Sequence, residues 1–412
     1  MKLSIIICVY NTAIEYLSEC IKSITSSTVK DLDGGYEICM VDDGSTLDYS
    51  ELLSKYPIRY KKTENRGILS ARKTGAQMAS GEYAIYCDSD DTVSFNYYLP
   101  MAEKADSENA DIVINDWASH TVRSKYCCKN DDTIKRNISL FGDDVLLEFV
   151  RNEGRQHSYY VLWNKLYKTS LLLSAFEELT KSGFPERTSY SEDAAINFFI
   201  WKSAKRLVNI HTGYYFYRIH PMQTVNVSDA KKLLSQINAM STTISIMRKN
   251  IGENIHKEEI LLHLDEWAKL MARSHYSSAK AGKFESLYEI IKEKYGVEKL
   301  ELSKAKDGSA YIKKLLLGEN FSEIDSIFMS LWDSTVKQTV LYRGEDVYIK
   351  RNIEFLESKG KIIRTKNNPD AIIPSFKVPL KEKLIHNAFV YKVGLMLFKK
   401  GSKSRNFLKK FI

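Results

Sequence analysis

Four short polar runs in the first half of this 412-residue chain carry the residue types that metal and acid-base chemistry require. Asp88-Ser89-Asp90-Asp91 follows the apolar run from Tyr83 to Cys87. Carboxylates at a strand end offer oxygen ligands to a hard divalent cation, and such an ion offsets the charge of a diphosphate. Asp91 or Thr92 is expected to cap the helix that follows. Asp42-Asp43-Gly44-Ser45 ends another apolar run and opens a turn. One of its acids suits the turn itself by accepting from nearby backbone, which leaves the other for a base or ribose hydroxyl. Asn65-Arg66-Gly67 leads into a helical stretch carrying Arg72, which can pair with phosphate or with an acid on the sheet edge. Ser191-Glu192-Asp193 precedes an apolar helix. The helix dipole favours an acid there, and the same carboxylate could take the proton of an attacking hydroxyl.

These runs sit where a regular alternation of strands and helices needs its connections. Leu3 to Val9, Tyr36 to Val41, Ile58 to Lys62, Tyr83 to Cys87 and Asp111 to Asn115 read as strands. Ile14 to Ser26, Leu47 to Lys55, Gly67 to Ala79 and the region from Tyr97 to Asp106 read as helices. Alternation of this kind implies βαβ units and a mostly parallel sheet, whose ligands bind at the carboxyl ends of the strands. All the acidic turns then share one sheet edge. The fold class expected is α/β. From Ser119 to Gly183 the pattern is mixed, and after Asp229 it becomes helical, with apolar residues spaced by three and four from Ala230 to Asn250, Lys257 to Ala281 and Phe284 to Tyr295.

Charge and cysteine content narrow the function. The net charge of +8 is accounted for by residues 381–412, which hold nine Lys or Arg and a single acid, Glu382. The rest is neutral overall, so the broad basic field of a nucleic-acid-binding protein is not expected. Six cysteines, at 8, 20, 39, 87, 127 and 128, form no CxxC pair, which argues against a thiolate metal site. Cys8, Cys39 and Cys87 lie in strand-like runs as small buried hydrophobes. With no signal-peptide pattern ahead of the first strand, the compartment expected is the reducing cytoplasm. The turn after the first strand, Val9-Tyr10-Asn11-Thr12-Ala13, lacks G-x-G-x-x-G, so a nicotinamide-dependent oxidoreductase is a poor reading.

The runs Ser4-Ile5-Ile6-Ile7-Cys8-Val9-Tyr10-Asn11, Val41-Asp42-Asp43-Gly44-Ser45, Glu64-Asn65-Arg66-Gly67-Ile68-Leu69-Ser70-Ala71-Arg72, Ser80-Gly81-Glu82-Tyr83 through Asp91 and Ser191-Glu192-Asp193 occur in the order and spacing of the family 2 inverting glycosyltransferases. The chain resembles that family over roughly its first 225 residues. The resemblance implies a GT-A, Rossmann-like nucleotide-diphospho-sugar transferase domain. It implies that Asp43 and Arg72 help hold the nucleotide, that Asp88 contacts the nucleoside, and that Asp90 binds Mn2+ or Mg2+. Tyr10, Asn11, Asn65 and Ser89 lie in the same motifs as further donor contacts. It also assigns Asp193 as the base that deprotonates the acceptor, with Glu192 as a supporting acid. His220, in Tyr217-Arg218-Ile219-His220-Pro221, matches a position where some relatives place a second metal ligand. Trp163-Asn164-Lys165 resembles a recurrent segment whose Lys165 reaches the diphosphate or acceptor, or else snorkels past a packed Trp.

The organisation expected is a GT-A domain over 1–228, a mainly helical C-terminal domain over 229–380, and a basic amphipathic tail over 381–412. The apolar stretch from Leu384 to Phe398 is shorter than the roughly 20 residues of a membrane span and suits an interfacial helix with a polybasic flank. The function expected is inverting transfer from a nucleotide diphosphate donor, UDP-sugar by family frequency, to a hydroxyl. The partners expected are that donor, a glycan, lipid-linked or protein acceptor, an anionic membrane surface at the inner face of the plasma membrane, and a second copy in a homo-oligomer. The alternative is a catalytically silent module that binds nucleotide-sugar or glycan.

Overall fold

The computed structural model describes residues 2–121, 127–129, 134, 136–154, 156–188, 190–219, 229–300, 362–365 and 368–374. His220 and the basic tail therefore lie outside the described residues, as does most of the stretch from 301 to 373.

In chain order the elements are β1 (Leu3–Val9), α1 (Ile14–Thr25), β2 (Tyr36–Asp42), α2 (Ser50–Leu53), β3 (Ile58–Lys62), α3 (Ile68–Met78), β4 (Tyr83–Asp88), β5 (Thr92–Val93) and α4 (Tyr98–Glu108). There follow β6 (Ile112–Thr121), β7 (Cys127–Lys129), β8 (Ser139–Phe141), α5 (Asp143–Arg151), α6 (His157–Tyr160), β9 (Lys165–Lys168), α7 (Thr169–Lys181), α8 (Glu192–Ser203) and β10 (Arg206–Ile219). Helices α9 (Ala230–Lys249), α10 (Lys257–Ala281) and α11 (Tyr288–Tyr295) complete this part. The described residues up to 300 fall in one compact unit; β11 (Ile362–Thr365) and β12 (Asn368–Pro374) pair antiparallel in a second.

The main sheet runs β3-β2-β1-β4-β9-β6-β10-β5. Its first four strands are parallel, with Leu3 opposite both Tyr36 and Tyr83, as βαβ connections require. The sheet is not mostly parallel throughout, however. β9 enters antiparallel between β4 and β6, and β5, β7 and β8 pair antiparallel at the far side. The sequence pattern marks strands but not their direction, and β9 follows a short helix rather than a crossover. The helix expected from Leu47 to Lys55 shrinks to Ser50–Leu53. Asp48 accepts from the Ser50 amide at 2.9 Å and starts the helix late.

Strand periodicity explains the two faces of the sheet. Leu3, Ile5, Ile7 and Val9 are buried together with Leu17, Ile21 and Ile24 of α1 and Met101 of α4. Ile6 faces the opposite layer, where it clusters with Leu69 and Ala76 of α3. Gly75 lets α3 approach β1 closely, since a Cβ there would lie 2.3 Å from Ile6 Cγ2. Helix α8 is apolar on all sides: Ala194, Ala195, Ile196, Phe198, Phe199, Ile200 and Trp201 are all buried. A helix of that kind must be enclosed, and α5, α6, α7 and α9 enclose it. Its first turn, with Glu192 and Asp193, is fixed as a result.

Candidate active site

The carboxyl ends of β1, β2 and β4 meet the first turn of α8 across the N-terminal half of α3. Arg72 of α3 occupies the junction, with only 5% of its surface exposed. Its guanidinium Nη1 donates to Asp193 Oδ1 and, at 3.1 Å, to Glu192 Oε1. Nη2 lies 3.7 Å from Asp88 Oδ1. One cation thus ties the end of β4 to the start of α8. Of the two partners foreseen for Arg72, phosphate or a sheet-edge acid, the acids hold it here. Its Nε is buried and has no acceptor among the described residues.

Three carboxylates thus gather around one buried guanidinium. Burial raises the Asp193 carboxyl to about 7; Glu192 and Asp88 add to the shift while Arg72 opposes it. Burial likewise raises Asp88 to about 6, with Arg72 opposing and Asp90 and Glu192 adding. Burial works against the charge of Arg72, but Asp193, Asp88 and Glu192 together hold it protonated. Such a site favours a bound cation or proton.

The donor-side turns are stitched together by side chains. Asp42 Oδ1 accepts from the Ser45 amide at 2.7 Å, so Asp42 is the acid that makes the turn. Asp43 accepts from the Arg66 and Gly67 amides, both at 2.8 Å, and so pins the loop that carries Asn65. Gly44, at φ +80°, is obligatory: a Cβ would stand 2.7 Å from the Asn65 amide nitrogen. Asn11 adopts φ 50°. Its amide donates to Ser45 Oγ at 2.9 Å, and its Oδ1 accepts from the Thr46 amide at 2.8 Å. Tyr10, 55% exposed, presents its ring at the rim. Ser89 shares a hydrogen bond of 2.7 Å with Thr12. Asn65 is exposed, and its carbonyl accepts from Arg187 at 3.2 Å.

Two expectations are corrected. Neither Asp91 nor Thr92 caps a helix: Asp91, 1% exposed, accepts from Tyr215 Oη and the Arg218 amide, each at 2.7 Å, and Thr92 belongs to β5. A buried carboxylate of this kind needs such donors. Lys165 is not on the donor surface. It is fully buried, with Nζ donating to the Val161 carbonyl and, at 2.8 Å, to Asn164 Oδ1. The antiparallel entry of β9 points it beneath the site, and burial pulls its basicity well below the ordinary lysine range, with Asp193 opposing.

Among the described residues no group of three or more His, Cys, Asp or Glu side chains is placed to hold a metal. Asp90, the expected ligand, is partly exposed two residues beyond the end of β4, and its carboxylate oxygens are of the type that hard divalent cations take. The second expected ligand, His220, lies outside the described residues.

Sequence reasoning overlooked three residues that organise the site. Arg218 Nε donates to the Asp90 carbonyl, and its Nη2 donates to Glu19 at 2.6 Å. Tyr215 Oη accepts from the Asp88 amide at 2.9 Å while donating to Asp91, and its ring stacks on Trp163 at 4.3 Å. Asn197 donates to the Asp193 carbonyl at 3.0 Å and to the Tyr160 and Val161 carbonyls. Asn197 lies one helical turn beyond Asp193, the spacing that could have flagged it.

Acids at the ends of β2 and β4, with those of α8 opposite, agree with the GT-A nucleotide-sugar transferase domain expected from the motifs. Comparison with known proteins gives the family. Residues 4–152 match the profile of Glycosyl transferase family 2, so the N-terminal part of the chain is a family 2 glycosyltransferase domain. The chain is 25% identical over 345 residues to Glycosyltransferase GlyA of Streptococcus pneumoniae, covering 80% of this chain but 45% of that protein. It is 28% identical over 255 residues to the Cholesterol galactosyltransferase of Borreliella burgdorferi, covering 59% of this chain and 67% of that one. Among solved structures, residues 1–349 of Staphylococcus aureus TarS in complex with UDP-GlcNAc align with a TM-score of 0.45 at 18% identity, over 74% of this chain and 95% of that one. The chain spans about half the length of GlyA. No helix among the described residues is long and apolar enough to cross a membrane.

Proposed function

We propose that the chain transfers a hexosyl or N-acetylhexosaminyl group from a UDP-sugar to a hydroxyl of a glycan or lipid-linked acceptor, with inversion at the anomeric carbon. The observation that carries this reading is the Arg72 junction, which holds the acids of α8 beside the nucleotide edge of the sheet. A base and a donor site must lie on opposite sides of one anomeric carbon for single displacement, and here one side chain fixes both.

In this reading Tyr10, Asn11, Asp43, Asn65 and Ser89 shape the donor rim. Asp193 accepts the proton of the acceptor hydroxyl as its oxygen attacks. Glu192 shares Arg72 with it, so the guanidinium stays committed to the acids and does not quench one of them alone. Asp90 would hold a divalent cation, Mn2+ or Mg2+, which when bound would supply charge neutralisation for a departing diphosphate. Asp193 must be ionised to act, and its value of about 7 leaves it a stronger base than an ordinary carboxylate, with about half of the molecules ionised at neutral pH.

The test combines donor binding with turnover. Thermal shifts with UDP-glucose, UDP-galactose and UDP-N-acetylglucosamine, with and without manganese, should show ion-dependent stabilisation, because a ligand above its dissociation constant raises apparent stability. UDP release should then be lost in Asp193→Asn. Turnover that survives both Asp193→Asn and Asp90→Ala places the chemistry elsewhere. Binding with no turnover on any acceptor supports a silent binding module instead.

A further inference from the structure

The two acids of α8 are preceded by Ser191, whose backbone sits in the left-handed region at φ 63° and ψ 5°. A non-glycine residue is held there only when its surroundings over-determine the conformation. Ser191 is the N-cap of α8, yet its side chain makes no capping hydrogen bond to the helix. Its hydroxyl lies 2.7 Å from the hydroxyl of Thr243, on α9. Thr243 is fully buried and already spends its proton on the Ala239 carbonyl at 3.0 Å. The arrangement that gives both hydroxyl protons an acceptor has Ser191 donating and Thr243 Oγ1 accepting. The preceding residue is gripped from the same side, for the ring of Tyr190 rests against that of His275 on α10, 6.1 Å away.

We propose that Thr243 is a positioning residue for the carboxylates of α8, acting through Ser191. Capping its own helix would draw the serine side chain toward the first-turn amides and favour extended backbone. Donating to Thr243 instead holds the left-handed turn from which Glu192 and Asp193 emerge next to Arg72. The helical layer of residues 230–281 thereby sets the direction of the acids rather than merely covering them. The inference rests on the reading of Asp193 as the base, and its test separates the two.

UDP release from UDP-glucose, UDP-galactose and UDP-N-acetylglucosamine in the presence of manganese is measured for the full chain and its variants. Thr243→Val keeps the shape of the side chain and removes the acceptor. It should lower kcat about tenfold, the order of loss expected from a small misplacement of a reacting group, with donor KM and UDP binding within about twofold of wild type. Thr243→Ser should restore kcat. Ser191→Ala should show the same loss, and the double variant Ser191→Ala/Thr243→Val no further loss, because both remove one interaction. Should Thr243→Val fold poorly by circular dichroism, Ser191→Ala alone carries the test, with the same expected split between kcat and KM. Wild-type kcat in either folded variant, or additive losses in the pair, overturns the proposal. Asp193→Asn measured alongside distinguishes the failures: if it stays active, the base assignment falls; if it is inactive while Thr243→Val matches wild type, only the role of Thr243 falls.

Discussion

Arg218 holds the backbone of Asp90 from behind: its Nε donates to the Asp90 carbonyl at 2.5 Å, while its amide donates to the neighbouring Asp91 carboxylate at 2.7 Å. The guanidinium also lies over the ring of Tyr16, 4.4 Å from its centroid. Arg218 thus braces the loop whose carboxylates, in the function proposed above, would face an ion. Supporting shells of this kind tune affinity more than chemistry. Arg218→Met should therefore raise the manganese concentration for half-maximal stabilisation by UDP about tenfold or more, read by thermal shift, with a smaller effect on kcat at saturating ion.

Asp193→Asn should reduce kcat by about a thousandfold, within the usual range for loss of a general base, while donor binding persists. In the wild type kcat should rise with pH through about 7, the value to which burial lifts Asp193. A pH profile of UDP release checks both the slope and its loss in the variant.

The same shift has a consequence for stability. Folded Asp193 keeps its proton up to about 7, against an ordinary value of 3.8. Between those two values the folded chain binds more protons than the unfolded one, so the contribution of this group to stability falls as pH rises. Asparagine does not titrate. The Tm difference between Asp193→Asn and wild type should move in favour of the variant from pH 4 to 7, measured at constant ionic strength; a flat difference would mean that Asp193 titrates as a solvent-exposed acid.

Gly44→Ala places a methyl group 2.7 Å from the Asn65 amide at a backbone φ of +80°. Strain and collision act together, and a destabilisation of about 2 kcal/mol or more is expected. Chemical denaturation gives the loss, and weaker donor binding should accompany it because the Asn65 loop must move.

The basic block from Lys381 onward is tested by truncation after Val378. Removing nine cationic side chains should abolish sedimentation with anionic vesicles, since each is worth about 1 kcal/mol near such a surface, and should leave hydrolysis of soluble UDP-sugars intact. Equal sedimentation of the truncated and full chains would remove the membrane role.

Much of this architecture is readable in the sequence, and the limits have physical causes. β1, β2 and β4 are legible because strand runs buried on both faces carry dense apolar residues bounded by turn-forming acids and glycines. The motif acids Asp43, Asp88 and Asp193 are legible by type and spacing. Their partners are not. That Arg72 would reach Asp193, 121 residues away, depends on how α8 packs, which no local pattern encodes. Lys165 misleads for the same reason: a lysine near motif residues reads as a ligand contact, whereas the reversed strand β9 buries it. Asp91 misleads because the last acid of Asp88-Ser89-Asp90-Asp91 looks like a cap until Tyr215, from 124 residues away, is seen to donate to it.

The mingling of α9 and α10 with α8 bears on how such enzymes could be recombined. Leu233, Ile237, Met240, Ile244 and Met247 belong to the same apolar cluster as Phe198, Phe199 and Trp201. A chimera spliced at residue 228, the point where the sequence turns helical, would open that cluster and take from α8 the wall that α9 provides. Interchangeable cassettes for new acceptors would have to be joined beyond Tyr295, carrying the three helices along with the sheet.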